Sequence, residues 1–255
     1  MATPIIFKFV LNQMQDLVDA ASVVASADDM ADMKFSREMF AIMADSYPAL
    51  GGVIALHLWP QFFDEYVCNE LLKSWTFVKN LFPLMIDMEE SGFNSLSFTV
   101  TYPESAELKF QAPNGLSNEV EFELIPSLDP LEVGDFDFSS FVSLDSEEFV
   151  NIVTEYHMFD YVHVTVTSTR VIFSYAIMLE TILTQEDGEC LIGGITAPNH
   201  MEFIITLSPI EAFYSMAHRS KRVWLYKSMK TTKGVIIFPL GLYYRFVAYF
   251  YNPGE

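Results

Sequence analysis

Ile125-Pro126-Ser127-Leu128-Asp129-Pro130-Leu131-Glu132-Val133-Gly134-Asp135 stands at the middle of the chain. Its prolines, its glycine and its acids make this stretch a poor helix and a poor central strand. Its leucines and Val133 are apolar, however, so the stretch is not a flexible Gly/Ser tether. We interpret it as an ordered linker that lies on a surface and separates two halves of the chain.

The two halves that flank this linker carry the same succession of predicted elements. The matched elements are a strand with a following helix at 5–24 and 138–157, a hairpin at 34–43 and 163–173, and a second helix at 71–82 and 209–221. The members of each match lie about 130 residues apart, which indicates an internal repeat. We therefore predict an α+β protein of two similar domains, residues 1–125 and 138–255, joined by the linker 126–137.

The first helix of the second half carries clear sequence signals. Asp145 stands at its start, and Glu148 three positions on makes the pattern close to a capping box. Apolar residues then recur at helical spacing and predict the buried stripe Phe149, Ile152, Val153 and Tyr156. Such a stripe indicates that the helix covers one face of a sheet.

The composition is that of a globular protein with a large core. Apolar residues make up 51% of the chain, with 23 Phe and 12 Tyr. No run of 18 uncharged apolar residues occurs, so we expect no transmembrane helix, and the N-terminus shows no signal peptide. Cys68 and Cys190 are too few for a disulfide framework, which favours a reducing compartment.

The net charge of −20 argues at first against nucleic acid, because phosphate binding needs Lys and Arg. The distribution of the charge is more informative than its sum. From Phe110 to His218 the only base is Arg170, whereas the next stretch is basic. That stretch contains Arg219, Lys221, Arg222, Lys227, Lys230 and Lys233. A protein can be acidic on most faces and basic on one.

No catalytic motif is visible. The chain has no Ser-His-Asp string, no P-loop and no dinucleotide fingerprint. Its five histidines are scattered without acids or cysteines at ligand spacing, so we expect no metal and no cofactor. Asp129 and Asp135 are better interpreted as solvated linker residues than as an acid/base pair. We therefore expect a protein that is not an enzyme.

Several short strings, taken in order, resemble the eukaryotic DNA sliding clamp family, that of the proliferating cell nuclear antigen (PCNA). They are Tyr66-Val67-Cys68-Asn69, Phe110-Gln111-Ala112-Pro113-Asn114, Met43-Ala44-Asp45-Ser46, Leu17-Val18-Asp19-Ala20-Ala21 and the tail Tyr249-Phe250-Tyr251-Asn252-Pro253. The match runs over nearly the whole chain, and its specificity comes from the ordered set, since each string is short.

The resemblance implies a nuclear DNA sliding clamp, or one of a host's replication compartment. Such a clamp is a homotrimeric ring that encircles duplex DNA and tethers DNA polymerase and other replication and repair proteins. Its sheets lie outside and its helices line the hole. Strand 120–125 would pair with strand 177–183 of the neighbour through Val120, Phe122, Leu124, Ile177, Leu179 and Thr181. A proline at Phe122 should then remove a ladder donor and leave monomers.

The resemblance also points to DNA contacts on the second helix of each half. The candidates are Lys73, Lys79, Arg219, Lys221 and Arg222. From spacing alone these side chains are equally well interpreted as solvated. The first helices depart from the family, because they carry acids in place of bases: Asp16, Asp19, Glu147, Glu148 and Glu155. This departure leaves open a subunit of a heterotrimeric checkpoint clamp, or a protein-only adaptor or DNA mimic with a clamp fold.

In the resembled family, partner peptides with an aromatic anchor dock between the linker, the loop after the third strand and the chain's end. The matching positions are Met43, Tyr47, Leu128, Pro130, Leu131, Phe250, Tyr251 and Pro253. Apolar residues on a proline-stiffened linker need a surface to bury against, and the aromatic tail can supply one. The alternative is that linker and tail simply cover each other.

Overall fold

The computed structural model describes residues 4–46, 52–127 and 135–251. Within them the chain has four α-helices and sheets whose neighbouring strands run antiparallel, which confirms the predicted α+β class. The described residues divide into two compact units: those within 1–44 and 56–131 form unit 1, and those within 45–55 and 132–255 form unit 2. No helix in the described part of the chain is long and apolar enough to cross a membrane.

The first half begins with a strand and its helix and ends with a hairpin and an edge strand. Its elements are β1 (Phe7–Leu11), α1 (Gln15–Ala25), β2 (Ala31–Phe35), β3 (Phe40–Asp45), β4 (Gly52–Leu58), β5 (Glu65–Cys68), β6 (Leu72–Thr76), α2 (Val78–Glu90), β7 (Ser95–Tyr102), β8 (Ser105–Gln111) and β9 (Ser117–Glu123). A single 3-10 turn, Pro60–Phe62, precedes β5, and the short strand β10 (Ile125–Pro126) follows β9.

The second half has the same types of element in the same order. Its elements are β11 (Phe141–Asp145), α3 (Ser146–Tyr156), β12 (Val162–Val166), β13 (Arg170–Tyr175), β14 (Leu179–Thr184), β15 (Cys190–Gly193), β16 (Met201–Ile205), α4 (Ile210–Arg219), β17 (Arg222–Lys227), β18 (Gly234–Pro239) and β19 (Tyr244–Phe250). Eleven elements of each half therefore correspond one to one, β1 with β11 through β9 with β19.

Strand order repeats as well. In unit 1 one sheet has the order β5-β1-β7-β8-β9, and in unit 2 the counterpart strands have the order β15-β11-β17-β18-β19. The other sheets contain β6-β2-β3 in unit 1 and β16-β12-β13-β14 in unit 2. The two halves of the chain thus share one order of elements and one order of strands.

Each unit has its own aromatic core. In unit 1, Phe9 and Phe98 stack at 5.2 Å between ring centroids, and Phe7 packs edge-on against Phe35 at 4.8 Å. In unit 2, Phe149 lies 5.4 Å from Phe238. These rings are all at most 2% exposed, so they bury large apolar areas and stabilise the contact between helices and sheets.

Helix α3 forms as the periodicity predicts, but its cap differs. Phe149, Ile152, Val153 and Tyr156 are all buried, which confirms the predicted stripe. Asp145 occupies the N-cap position, yet its side chain makes no capping hydrogen bond. Its carboxylate instead accepts a hydrogen bond of 2.6 Å from the guanidinium of Arg222. A charged partner outcompetes the backbone donor, since charge-assisted bonds are the stronger ones.

The predicted second helix at 71–82 is wrong in its first half. Residues Leu72–Thr76 form β6, and the helix α2 runs from Val78 to Glu90. Ser74 and Thr76 are buried while Trp75 is 45% exposed, so the burial alternates with the period of a strand. Pro83 lies inside α2 and did not stop it. Apolar residues three apart had imitated a helical face.

Candidate functional site: two open strand edges

Strands β9 and β14 each end a sheet. Within the described residues, β9 is the last strand of β5-β1-β7-β8-β9, and β14 is the last strand of β14-β13-β12-β16. They overlap the strands predicted at 120–125 and 177–183, although β9 ends at Glu123 and β14 begins at Leu179. An edge strand presents backbone donors and acceptors that another chain can use.

The backbone of β9 alternates between its own sheet and the open side. The N–H of Leu124 donates to the carbonyl of Glu104 at 2.8 Å, in register with the β8–β9 ladder. Because bonded and non-bonded pairs alternate in an antiparallel ladder, Phe122 also pairs with β8, whereas Glu121 and Glu123 point their N–H and C=O outward. A proline at Phe122 would therefore damage the internal sheet, so that predicted test is wrong; Glu121 is the residue that tests the edge.

Strand β14 alternates in the same way. The N–H of Gln185 donates to the carbonyl of Thr169 at 2.9 Å, which continues the β13–β14 ladder. Leu179 and Thr181 then pair with β13, and Glu180, Ile182 and Thr184 face outward. The outward N–H of Thr184 donates to the carboxylate of Glu189 at 2.8 Å, so the chain closes this end of the edge itself.

The exposed side chains of β9 are acidic. Glu119 forms an ion pair with Lys109 on β8, and this hydrogen bond and charge raise the pKa of Lys109. Glu121 stands directly opposite Glu107, and like charges in that position destabilise a sheet. Glu123 stands opposite Ser105, which brings no charge. Of the three exposed glutamates on this edge, only Glu119 therefore has a basic partner on β8, and the edge keeps a net negative charge.

Strand β14 combines an acid with exposed apolar residues. Glu180 is exposed and stands opposite Ser174 on β13. Ile177 and Met178, in the turn before the strand, are 102% and 78% exposed, and Ile182 is 42% exposed. Ile177 and Met178 are adjacent, so this end of β14 presents exposed apolar surface that is available to a neighbouring molecule.

The predicted interface residues divide between the edge and the sheet behind it. Val120 and Phe122 on β9 and Leu179 and Thr181 on β14 are half-buried, Leu124 is buried, and Ile177 is fully exposed. Sequence reasoning missed the outward residues: Glu119, Glu121, Glu123, Glu180 and Ile182. The strict alternation Glu119-Val120-Glu121-Phe122-Glu123 was the signal that could have found them.

The predicted DNA contacts do not lie together on helices. Lys73 is on strand β6, so its placement on a helix was wrong. Lys79 is exposed in the first turn of α2 and pairs with Asp29 at 2.9 Å. Arg219 ends α4 and Lys221 follows it, both exposed. Arg222 is on β17, where it binds Asp145. Lys73 and Lys79 belong to unit 1 and the other three to unit 2.

Three of the four helices carry more acids than bases. The charged residues and histidines are Asp16 and Asp19 on α1, Lys79, Asp87, Glu89 and Glu90 on α2, Glu147, Glu148 and Glu155 on α3, and Glu211, His218 and Arg219 on α4, where acid and base balance. Glu155 also accepts a hydrogen bond of 2.7 Å from Thr181, which ties α3 to β14. A phosphate backbone finds little attraction on such faces.

Most of the predicted peptide pocket lies outside the described residues, namely Tyr47, Leu128, Pro130, Leu131 and Pro253. Of the others, Met43 is buried in β3, and Phe250 is buried at the end of β19. The hydroxyl of Tyr251 donates to the carboxylate of Asp45 at 3.4 Å. Burial, followed by the charge of Asp45, raises the pKa of Tyr251. The pocket therefore stays a prediction.

Within the described residues, no group of three or more His, Cys, Asp and Glu is placed to hold a metal ion. Cys68 and Cys190 are free thiols, and burial raises the pKa of both. No model of a known protein family matches the chain, and no curated protein matches it in sequence.

Proposed function

We propose that this chain is a subunit of a ring-shaped DNA sliding clamp, which encircles duplex DNA and tethers a polymerase or other replication and repair proteins. One observation carries the proposal: an eleven-element design occurs twice, and two of its edge strands, β9 and β14, have a neighbouring strand on one side only among the described residues. A repeated unit with unused edges is suited to join further copies of the same design.

The counterparts of these two strands indicate how the joint would form. The first four residues of β4, Gly52–Ala55, belong to unit 2, where β4 is the neighbour of β19. In the element order, β4 corresponds to β14 and β19 corresponds to β9. A β9 strand can therefore join a β14 strand of the next subunit as β19 joins β4. Such a head-to-tail contact closes into a ring when the rotation per subunit allows it.

A ring holds DNA by topology and needs only weak contacts with phosphate. Lys79, Arg219 and Lys221 are the exposed bases at helix ends that we propose as such contacts. The acids that surround them keep the attraction weak, which favours sliding over gripping. Partner proteins would dock through an aromatic-anchored peptide at the predicted pocket.

The test measures whether the chain stays on circular plasmid DNA at a salt concentration that abolishes ionic binding. The chain would be incubated with relaxed circular or linear plasmid in 1 M NaCl, where the screening length is about 3 Å, and passed over a gel-filtration column. Because this salt concentration also screens charge repulsion between copies, we expect the chain alone to elute with the circle and to leave the linear molecule by its ends. Glu121→Pro should lose retention, whereas Glu121→Gln should keep it, since only proline removes the outward donor.

The acidic helices favour a second candidate, an adaptor with the same assembly that binds only proteins. Assembly in 1 M NaCl without any retention on circular DNA would support the adaptor and reject the clamp. At low salt, Arg219→Ala with Lys221→Ala should lower the slope of log affinity for a DNA duplex against log salt by about 2. Lys73→Ala, on a strand, is the matched control and should leave the slope unchanged.

A further inference from the structure

The open edge of β9 presents one kind of charge. Its outward-facing residues from 119 to 123 are Glu119, Glu121 and Glu123, and all three side chains are exposed. Lys109 neutralises Glu119, but Glu107 adds a further acid opposite Glu121. A strand that pairs with β9 sets its own side chains directly beside this row.

A second copy of this chain would bring an acid to that row. Outward residues of β9 can pair only with outward residues of β14, which are Glu180, Ile182 and Thr184. When Glu180 stands opposite Glu123, Ile182 falls opposite Glu121; a shift by two residues sets Glu180 opposite Glu121 instead. A shift by two residues in the other direction places Glu180 beyond Glu123. The two glutamates are then diagonal neighbours across the strands, which is still close enough for long side chains to interact.

The surroundings of β14 add to the repulsion. Glu186, Asp187 and Glu189 occupy the turn that follows the strand, and Arg170 is the one base in register with β14. Antiparallel pairing would place this turn towards Glu119 and the start of β9. Both edges thus carry the same sign, and like-charged juxtaposition is a means by which proteins exclude wrong partners.

Charged residues also protect edge strands that pair with nothing, so the acids alone do not require a partner. The apolar residues at the same edges favour one. Ile177 and Met178 border β14, and Leu116, 62% exposed, precedes β9. An edge that is only protected gains nothing from exposing such side chains, whereas a docking edge gains buried apolar area.

We propose that the neighbour at each edge is a different polypeptide, which presents a strand with Lys or Arg at alternate positions, and not a second copy of this chain. The inference rests on the proposed ring, because it assumes that β9 and β14 pair with neighbouring subunits. It predicts which residues the neighbouring polypeptide presents. These are a basic residue opposite Glu121 or Glu123, another basic residue opposite Glu180, and apolar residues that cover Ile177 and Met178.

The experiment makes the β14 edge of this chain basic by substitution, so that it can pair with the acidic β9 edge of another copy. Glu180→Lys with Glu186→Lys changes two exposed residues at β14, and Glu180→Gln with Glu186→Gln removes their charge without reversing it. Light scattering after size exclusion in 0.1 M NaCl measures the mass of each form. We expect monomers for the parent chain and closed oligomers for the Lys variant, with the Gln variant between them.

A second arm mixes two chains. The Lys variant that also carries Glu121→Pro keeps a basic β14 edge but has a blocked β9 edge. This chain should bind the parent chain in 0.1 M NaCl. Its dissociation constant should be at least tenfold lower than that of the control, which is the Gln variant with the same Glu121→Pro change. Added salt should remove the difference between the two dissociation constants. Equal melting temperatures within each matched pair of Lys and Gln variants would show that the charge changes act on association and not on folding.

Parent chains that assemble as well in 0.1 M as in 1 M NaCl would overturn this inference and leave the proposed ring intact. A Lys variant that associates no better than the Gln variant would overturn it as well. If no form associates at any salt concentration, the edges are merely protected, and the proposed function fails together with the inference.

Discussion

Strands β19 and β9 occupy the same place in the two halves, yet their surfaces differ. In β19 the five residues from Phe246 to Phe250 are buried, whereas in β9 burial alternates and every second residue is exposed. The counterpart strands differ in the same sense: all of β4 is buried, and β14 alternates. One design therefore has, at corresponding places, two strands that are largely buried and two strands with exposed residues at alternate positions.

The difference shows how the residue pattern separates a strand that is buried on both faces from an edge strand with one face exposed to solvent. β19 has apolar residues on both faces and needs a neighbour within the folded chain. β9 places Val120 and Phe122 towards its core and glutamates outward, so the strand is stable when alone. A strand of the second kind keeps its backbone groups available to a further strand, as the proposed ring requires.

The largest predicted effect is the difference between a proline in β19 and a proline in β9. Val247→Pro should destabilise the fold by about 3 kcal/mol or more, because Val247 is fully buried within the stretch Phe246–Phe250, where the interior of a sheet does not tolerate proline. Glu121→Pro, whose outward N–H is solvent-facing, should cost less than about 1 kcal/mol. Urea unfolding followed by circular dichroism measures both. Equal losses would show that β9 is already covered in the isolated chain.

A smaller effect is predicted where β13 and β14 are tied to helix α3. The buried hydroxyl of Tyr156 donates to the carbonyl of Phe173 at 2.9 Å and lies 3.0 Å from the hydroxyl of Thr181. Tyr156→Phe should lower the free energy of unfolding by about 1–2 kcal/mol, because it leaves the carbonyl without this donor. Tyr214→Phe, which removes a more exposed hydroxyl contact with Thr154, is the control and should cost less than about 0.5 kcal/mol.

The smallest predicted effect is a gain. Glu107→Lys replaces the like charge opposite Glu121 by an opposite one and should stabilise the chain by roughly 0.5 kcal/mol. The gain should disappear in 1 M NaCl, where surface charges are screened. Glu89→Lys, on a helix, serves as the control for net charge. A gain that persists at high salt would mean that Glu107 and Glu121 do not interact across the strands.

Sequence reasoning recovered what local periodicity encodes. The stripe of α3 and the hairpin at 163–173, which forms β12 and β13, were predicted because their apolar residues recur with a clear period. The prediction of a helix at 71–82 was wrong because Leu72, Trp75 and Val78 are three residues apart, which is also the spacing of a helical face. The exposed position of Trp75 follows from the pairing of β6 in its sheet, which the sequence of this segment does not contain.

The candidate site was recovered only in part, for a physical reason. The alternation along β9 shows which side chains are exposed, but which backbone groups face the open side depends on the register with β8, a contact between strands that single-strand patterns do not contain. Likewise Lys79 and Arg222 were identified as bases, but their partners Asp29 and Asp145 are 50 and 77 residues away in sequence.

The pairing of β9 with a neighbouring subunit is tested most directly by amide hydrogen exchange, residue by residue, on the assembled Glu180→Lys/Glu186→Lys variant and on the parent monomer. We expect the amides of Glu119, Glu121 and Glu123 to exchange quickly in the monomer and slowly in the assembly. The amides of Val120 and Phe122 should be slow in both states, because they already pair with β8. An assembly that leaves the three glutamate amides fast, and protects other surfaces instead, would contradict the account.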